Sequence, residues 1–142
     1  MITYADSSVL VAWFHPDDEF AKLVTEWVRE NVTDFLWNPM LRLEVRHNLR
    51  KLRSSYARAA WNALRVAERS RLRIGRERLH ELIDDADELS AQHAARVAAG
   101  AWDFFHVAAA IRQRADAFAT CDRLQADLAK ALGLPHIKLF RV

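Results

Sequence analysis

Four acidic residues, Asp6, Glu44, Asp103 and Asp122, stand where separate chain segments would end or begin at one edge of a parallel sheet. Asp6 follows the apolar run Ile2-Thr3-Tyr4-Ala5, and Asp122 follows Ala117-Phe118-Ala119-Thr120. Asp103 opens an apolar helical stretch, and Glu44 sits on an amphipathic one. An apolar run that reads as a buried strand ends in a charge only where that charge is solvated, paired or metal-bound. Open α/β sheets bind ligands at the carboxyl ends of their strands. Carboxylates converging there form an oxygen cage for a hard divalent cation. Without the cation they repel one another, so at least one is expected to titrate with a raised pKa.

The elements that must position these acids are legible in the periodicity. Ile2 to Ala5 reads as a short strand, and Ser7 or Ser8 as the cap of a helix begun by Val9, Leu10, Val11, Trp13 and Phe14. After the break at His15-Pro16-Asp17-Asp18, the spacing of Phe20, Leu23, Val24, Trp27 and Val28 predicts a helix with that stripe in the core. Asp34 to Trp37 is a second strand, stopped by Asn38-Pro39. Leu41, Val45, Leu49 and Leu52 then face the core, while Arg42, Arg46, Arg50 and Arg53 line a flank turned away from Glu44. A helix over Tyr56 to Ser70, an edge strand at Leu72 to Gly75 and helix from Glu77 to Ala98 follow. Phe104 to Ile111 are apolar nearly all round, as a buried central helix requires. A strand at Phe118 to Thr120, a helix from Leu124 to Leu132 closed by Gly133, and a strand from Ile137 to Phe140 complete the chain. Strands alternating with helices imply an α/β fold: three layers, with a mostly parallel sheet of four to five strands covered on both faces.

At 142 residues the chain is the size of one domain, 1–142, able to bury a core without disulfides. The lone Cys121 has no intramolecular partner, the start resembles no secretory signal, and no apolar run reaches membrane-spanning length. These features point to a soluble cytoplasmic protein with no membrane partner. Net charge is +2 with Arg far in excess of Lys, which suits phosphate contact without requiring it.

The segments Tyr4-Ala5-Asp6-Ser7-Ser8, Leu43-Glu44-Val45-Arg46-His47-Asn48-Leu49, Asp103-Phe104-Phe105-His106-Val107-Ala108-Ala109-Ala110 and Thr120-Cys121-Asp122-Arg123, in this order, resemble a PIN domain. The likeness is to the small VapC-type ribonuclease toxins of toxin-antitoxin pairs, and spans nearly the whole chain. It departs at Gly100-Ala101-Trp102, where relatives often carry Arg, and at Cys121 and Leu124. It implies Asp6 and Asp103 as principal ligands of Mg²⁺ or Mn²⁺, with Glu44 and Asp122 completing the pocket directly or through water. Ser7 and Thr120 would be the hydroxyls that support the acids. It further implies endonucleolytic cleavage of RNA leaving a 5′-phosphate and a 3′-hydroxyl, an antitoxin covering the acidic groove, and a homodimer. Such a cation lowers the pKa of bound water, neutralises the scissile phosphate and stabilises the leaving oxygen.

Plainer explanations compete at each position. Any single acid could be a helix cap. His106 reads as a hydrogen-bonded core residue, His47 as surface, Cys121 as packing, and the Asp84, Asp85, Asp87, Glu88 run as a solvated face. Trp61, between Arg58 and Arg65, reads as partly buried or as a dimer, antitoxin or base-stacking contact. Serine-nucleophile chemistry lacks a positioned base, and a phosphatase of the haloacid dehalogenase type would want Asp where Ser8 stands. Two alternatives survive beside the ribonuclease: a catalytically silent PIN-like module that binds RNA or protein, and DNA cleavage by the same metal chemistry.

Overall fold

A computed structural model describes residues 1–142. The chain runs β1 (Ile2–Ala5), α1 (Ser7–Phe14), α2 (Ala21–Glu30), β2 (Asp34–Trp37), α3 (Pro39–Arg50), α4 (Ser54–Ser70) and β3 (Leu72–Ile74). It continues α5 (Leu79–His93), α6 (Ala101–Arg112), β4 (Ala117–Thr120), α7 (Arg123–Ala131) and β5 (Ile137–Leu139). All five strands are parallel, in the order β3-β2-β1-β4-β5.

That order fixes the layers. Successive strands step one way from β1 to β3, and the connection to β4 then crosses back over β1. With right-handed crossovers, the two directions put their helices on opposite faces. Accordingly α1 packs on α2, α3 and α4, while α6 packs on α5 and α7. The expected α/β/α architecture is what forms. The strand order reverses between β1 and β4, and at such a switch point the flanking loops part to leave a crevice at the carboxyl edge.

The core lies on both faces of β1 and β4. Tyr4, Phe35, Phe104, Phe105 and Phe118 are its largest fully buried side chains, and Tyr4 stacks on Phe118 across the β1–β4 pair with ring centroids 5.7 Å apart. Residues Phe104 to Ala110 of α6 are all buried, because helix α6 lies between the sheet and α5. Ala108, Ala109 and Ala110 let it approach closely. No helix is long and apolar enough to cross a membrane.

Several boundaries differ from the sequence reading. The cap of α1 is Asp6 rather than Ser7 or Ser8. Helix α5 ends at His93, five residues before the expected Ala98, and Gly100 caps the start of α6 rather than ending its predecessor. Helix α6 begins at Ala101, two residues before Asp103. In the α2 stripe only Val24 and Val28 are buried, with Phe20 and Trp27 partly so and Leu23 exposed, because α2 lies at the rim and only one edge of its stripe meets α1. Ile111, near the end of α6, is likewise exposed.

Truncating Phe118 to Ala removes an aromatic ring from the centre of this core and is expected to cost about 3–5 kcal/mol. Ile74→Thr on the edge strand, 80 % exposed, should stay within about 0.5 kcal/mol. Urea denaturation of the two variants checks the difference.

Candidate active site at the carboxyl edge of the sheet

Asp6 is the first residue beyond β1 and is only 6 % exposed. Its N–H donates to Ala119 O at 3.1 Å, extending the β1–β4 pairing by one residue and bringing it beside Thr120. Its carboxylate then turns into the first turn of α1, where Oδ1 accepts from Ser8 N at 3.1 Å and Val9 N at 3.3 Å. The hydroxyls of Ser8 and Thr120 donate to Oδ1 and Oδ2. Burial nevertheless raises the Asp6 pKa, the bonds from Ser8 and Thr120 only partly opposing it. The expectation of one raised carboxyl is met, but its cause is desolvation rather than repulsion among the acids.

Thr120, the last residue of β4, joins two of the acids. Its Oγ1 donates to Asp6 and accepts from Asp122 N at 2.9 Å. Asp122 caps α7, its Oδ1 accepting from Leu124 N at 2.9 Å. Helix α6 runs antiparallel to the strand that follows it, so its N-terminus and Asp103 also come to the carboxyl edge. Asp103 Oδ2 accepts from Gly100 N at 2.8 Å. Gln125 of α7, fully buried, donates to Asp103 O at 3.1 Å and ties the two helix starts together.

Glu44 approaches from α3, with Ser7 Oγ donating to its Oε2 at 3.3 Å. A buried polar chain reaches its other oxygen. Asn38 caps α3 by accepting Leu41 N at its Oδ1, leaving Nδ2 to donate to Tyr4 Oη at 3.1 Å. Tyr4, whose pKa burial drives well above the ordinary value, keeps its proton and shares a hydrogen bond with His106 Nδ1 at 2.8 Å. The other ring nitrogen, Nε2, lies 2.7 Å from Glu44 Oε1. The approach is off the line of a directed hydrogen bond, so Oε1 is buried with no aligned donor. His106 is thus the buried, hydrogen-bonded residue expected, but it faces the pocket. Tyr4, Asn38 and Gln125 were not among the site residues proposed from sequence. The available signal was a polar Asn at the end of an apolar strand, before a helix-starting Pro.

The structure therefore brings Asp6 and Asp122 to the two sides of Thr120, and Glu44 beside Ser7 and His106. The four carboxylates do not close into one coordination shell: no three acidic, His or Cys side chains converge tightly enough to hold an ion, and Asp103 and Asp122 turn back onto their own helix starts. The donor set is nonetheless all oxygen, with one buried oxygen lacking a partner, and this suits a hard cation that retains several waters. The starts of α1, α3, α6 and α7 share this edge, and their positive dipole ends favour negative charge there. Cys121 lies beside the pocket with its thiol pushed up to about 12, chiefly by burial and further by the charge of Asp6. His47 is exposed, and Asp85 of the acidic run pairs with Arg112 at 3.6 Å.

Three outcomes follow from this geometry. A folded-state pKa raised above the unfolded one means that the stability due to Asp6 is fully present below the unfolded value and lost as pH rises through the folded value. In EDTA, Asp6→Asn should therefore melt above the wild type at pH 7, with the gap closing near pH 4. Tyr4→Phe leaves Asn38 Nδ2 and His106 Nδ1 without a buried partner and should cost about 1–3 kcal/mol in urea denaturation. Native Cys121 should react with iodoacetamide at pH 8 at least about 100-fold more slowly than the unfolded chain.

The profile of the PIN domain matches residues 3–131. No curated protein sequence matches the chain. Among solved structures, VapC20 of Mycobacterium tuberculosis, a sarcin-ricin loop cleaving toxin, aligns at a TM-score of 0.72 with 16 % identity, over 96 % of this chain and 98 % of that one. VapBC2 of Rickettsia felis, bound to a DNA fragment from its promoter, aligns at 0.65 with 14 % identity, over 99 % and 100 %. FitAcB of Neisseria gonorrhoeae aligns at 0.64 with 15 % identity, over 97 % and 96 %. With a profile match that covers most of the chain, and with the fold and acidic edge described above, this protein belongs to the PIN domain family.

Proposed function

We propose that this protein is a Mg²⁺- or Mn²⁺-dependent endoribonuclease and the toxin of a type II toxin-antitoxin pair. The observation that carries the reading is the buried Asp6 carboxylate, linked through Thr120 to Asp122, with Glu44 held by Ser7 and His106 on the same edge. Support for the toxin role comes from the VapC20, VapBC2 and FitAcB likenesses.

In this reading Asp6 and Asp103 hold the cation, and Glu44 and Asp122 complete the acidic pocket directly or through water. The bound ion would supply an activated water and neutralise the phosphate. Thr120 and Ser8 orient the Asp6 carboxylate, and Ser7 and His106 orient Glu44. Cys121 stays a neutral thiol and takes no part. An antitoxin segment would restrain the enzyme by covering the acidic edge, and the active species would be a homodimer in the cytoplasm.

The second reading is a catalytically silent PIN domain that binds RNA or protein. One observation favours it: Asp103 and Asp122 each serve as a cap on their own helix. Ligation would require both to rotate outward at the cost of a cap bond, about 1 kcal/mol each.

Purified protein incubated with total RNA in Mn²⁺ should give discrete cuts, abolished by EDTA and slowed at least about 100-fold in Asp6→Asn and Asp103→Asn. Mn²⁺ should also raise the melting temperature of the wild type but not of Asp6→Asn. Cuts that survive EDTA and both substitutions would overturn the metal-carboxylate assignment; no cutting and no Mn²⁺ shift would favour the binding module.

A further inference from the structure

We propose that the outward face shared by α3 and α4, centred on Trp61, binds the phosphate backbone of RNA at a site separate from the acidic pocket. The inference rests on the ribonuclease reading for the identity of the polyanion.

Charge is divided unevenly along the chain. From Pro39 to Ser70 there are eight Lys or Arg residues and two acids, Glu44 and Glu68, a net +6 where the remaining residues sum to −4. Glu44 turns inward to Ser7 and His106, so the outer surface of the pair is more basic than the count suggests. On α3, Arg42, Arg46 and Arg50 recur every four residues, about 6 Å apart along the axis. None of these three, nor Arg53 or Arg58, has a carboxylate within 4.0 Å.

Trp61 is where the basic rows of the two helices meet. The guanidinium carbons of Arg46 and Arg50 lie 5.8 and 5.9 Å from its ring centroid. Arg58 and Arg65, three residues before and four after it on α4, share its side of that helix. The sequence had set Trp61 between Arg58 and Arg65 alone; its closest cations come instead from α3, and its half-buried ring serves as their platform.

The chemistry of the face selects its ligand. Seven of the eight cations are Arg, whose planar fork matches phosphate oxygens and stacks on bases, and a regularly spaced row suits a regularly spaced polyanion. A competing occupant is the acidic helix α5 of a second copy, which carries five Asp or Glu and no Lys or Arg. The five acids of that helix lie within about 160° of one side, opposite the buried Leu82 and Ala86, so this occupant is separated from RNA by the light-scattering arm of the test.

The face does not point into the pocket. Arg42 and Arg46 are two residues from Glu44, about 160° around α3, so the width of a helix, about 10 Å, separates the two sites. Only an RNA of several nucleotides reaches both. The face would anchor a long substrate while a short one escapes its influence.

The test is binding of fluorescein-labelled RNAs of about 20 and about 4 nucleotides to the full chain in EDTA, read by anisotropy across a KCl series. The triple variant Arg42→Gln, Arg50→Gln, Arg58→Gln should weaken binding of the longer RNA about tenfold or more near 100 mM salt and lower the slope of log K against log salt by about 2. The shorter RNA, which spans fewer of the cations, should bind the wild type more weakly and with a smaller slope, and Lys at the same three positions should restore most of the loss for the longer one. A correctly folded triple variant that binds the longer RNA with unchanged affinity and slope would overturn the proposal. So would light scattering in which the variant loses a dimer that the wild type forms while keeping its RNA affinity, since that assigns the face to α5 of a second copy. Because binding is read without cleavage, failure of the nuclease reading would appear separately, in the total-RNA assay.

Discussion

A carboxylate taken out of water at the end of a central strand is destabilising unless its lone pairs are met, and the organisation of this site follows from meeting those of Asp6. Two backbone N–H groups of α1 and the hydroxyls of Ser8 and Thr120 surround it. Each of the two hydroxyls is itself held elsewhere: Ser8 Oγ accepts from Cys121 N at 3.0 Å, and Thr120 Oγ1 accepts from Asp122 N. The start of α1 and the loop after β4 are therefore locked together through one carboxyl group. Even so, desolvation leaves Asp6 with a raised pKa, so some of the protein's stability is given up to keep an acid there. Proteins commonly accept such local cost at sites where a ligand or reaction later compensates for it.

Parallel topology makes the arrangement possible. Each strand delivers the following helix with its N-terminus at the same edge, and α6, running back to β4, contributes a further one. Several positive dipole ends then face one crevice, which lowers the cost of gathering carboxylates before any cation is considered. Across the same crevice, the chain from Asn38 through Tyr4 to His106 couples the start of α3 to β1 and α6, so Glu44 is placed by a buried network rather than by its own helix alone. Such networks are rigid when satisfied and costly when a member is lost.

Division of labour also marks the two faces of the sheet. The α5–α7 layer is acidic over α5 and supplies α6, buried from Phe104 to Ala110, which anchors Asp103 and His106. The α1–α4 layer supplies Glu44 on the inner side of α3 and basic rows on its outer side. One helix thus presents opposite charges in opposite directions.

Strand and helix types, the parallel three-layer fold and the placing of Asp6 and Asp122 just beyond strands were readable from local patterns, because apolar runs of strand length ending in Asp and apolar residues at helical spacing are properties of adjacent residues. Helix ends were misjudged at Ser7, Ala98 and Asp103, since caps depend on which side chain reaches which N–H, and Asp6 won that competition at α1. The meeting of Tyr4 with His106, of Arg46 with Trp61 and of Thr120 with Asp6 spans long stretches of chain and is set by strand order and helix packing. The sequence by itself determined that Asp6, Asp103 and Asp122 would lie at strand ends and helix starts and Glu44 within a helix. Only the tertiary structure decided which of them are buried, which are held as caps, and that a histidine in an apolar helix faces the pocket, because burial and direction arise from contacts between segments that no local pattern encodes.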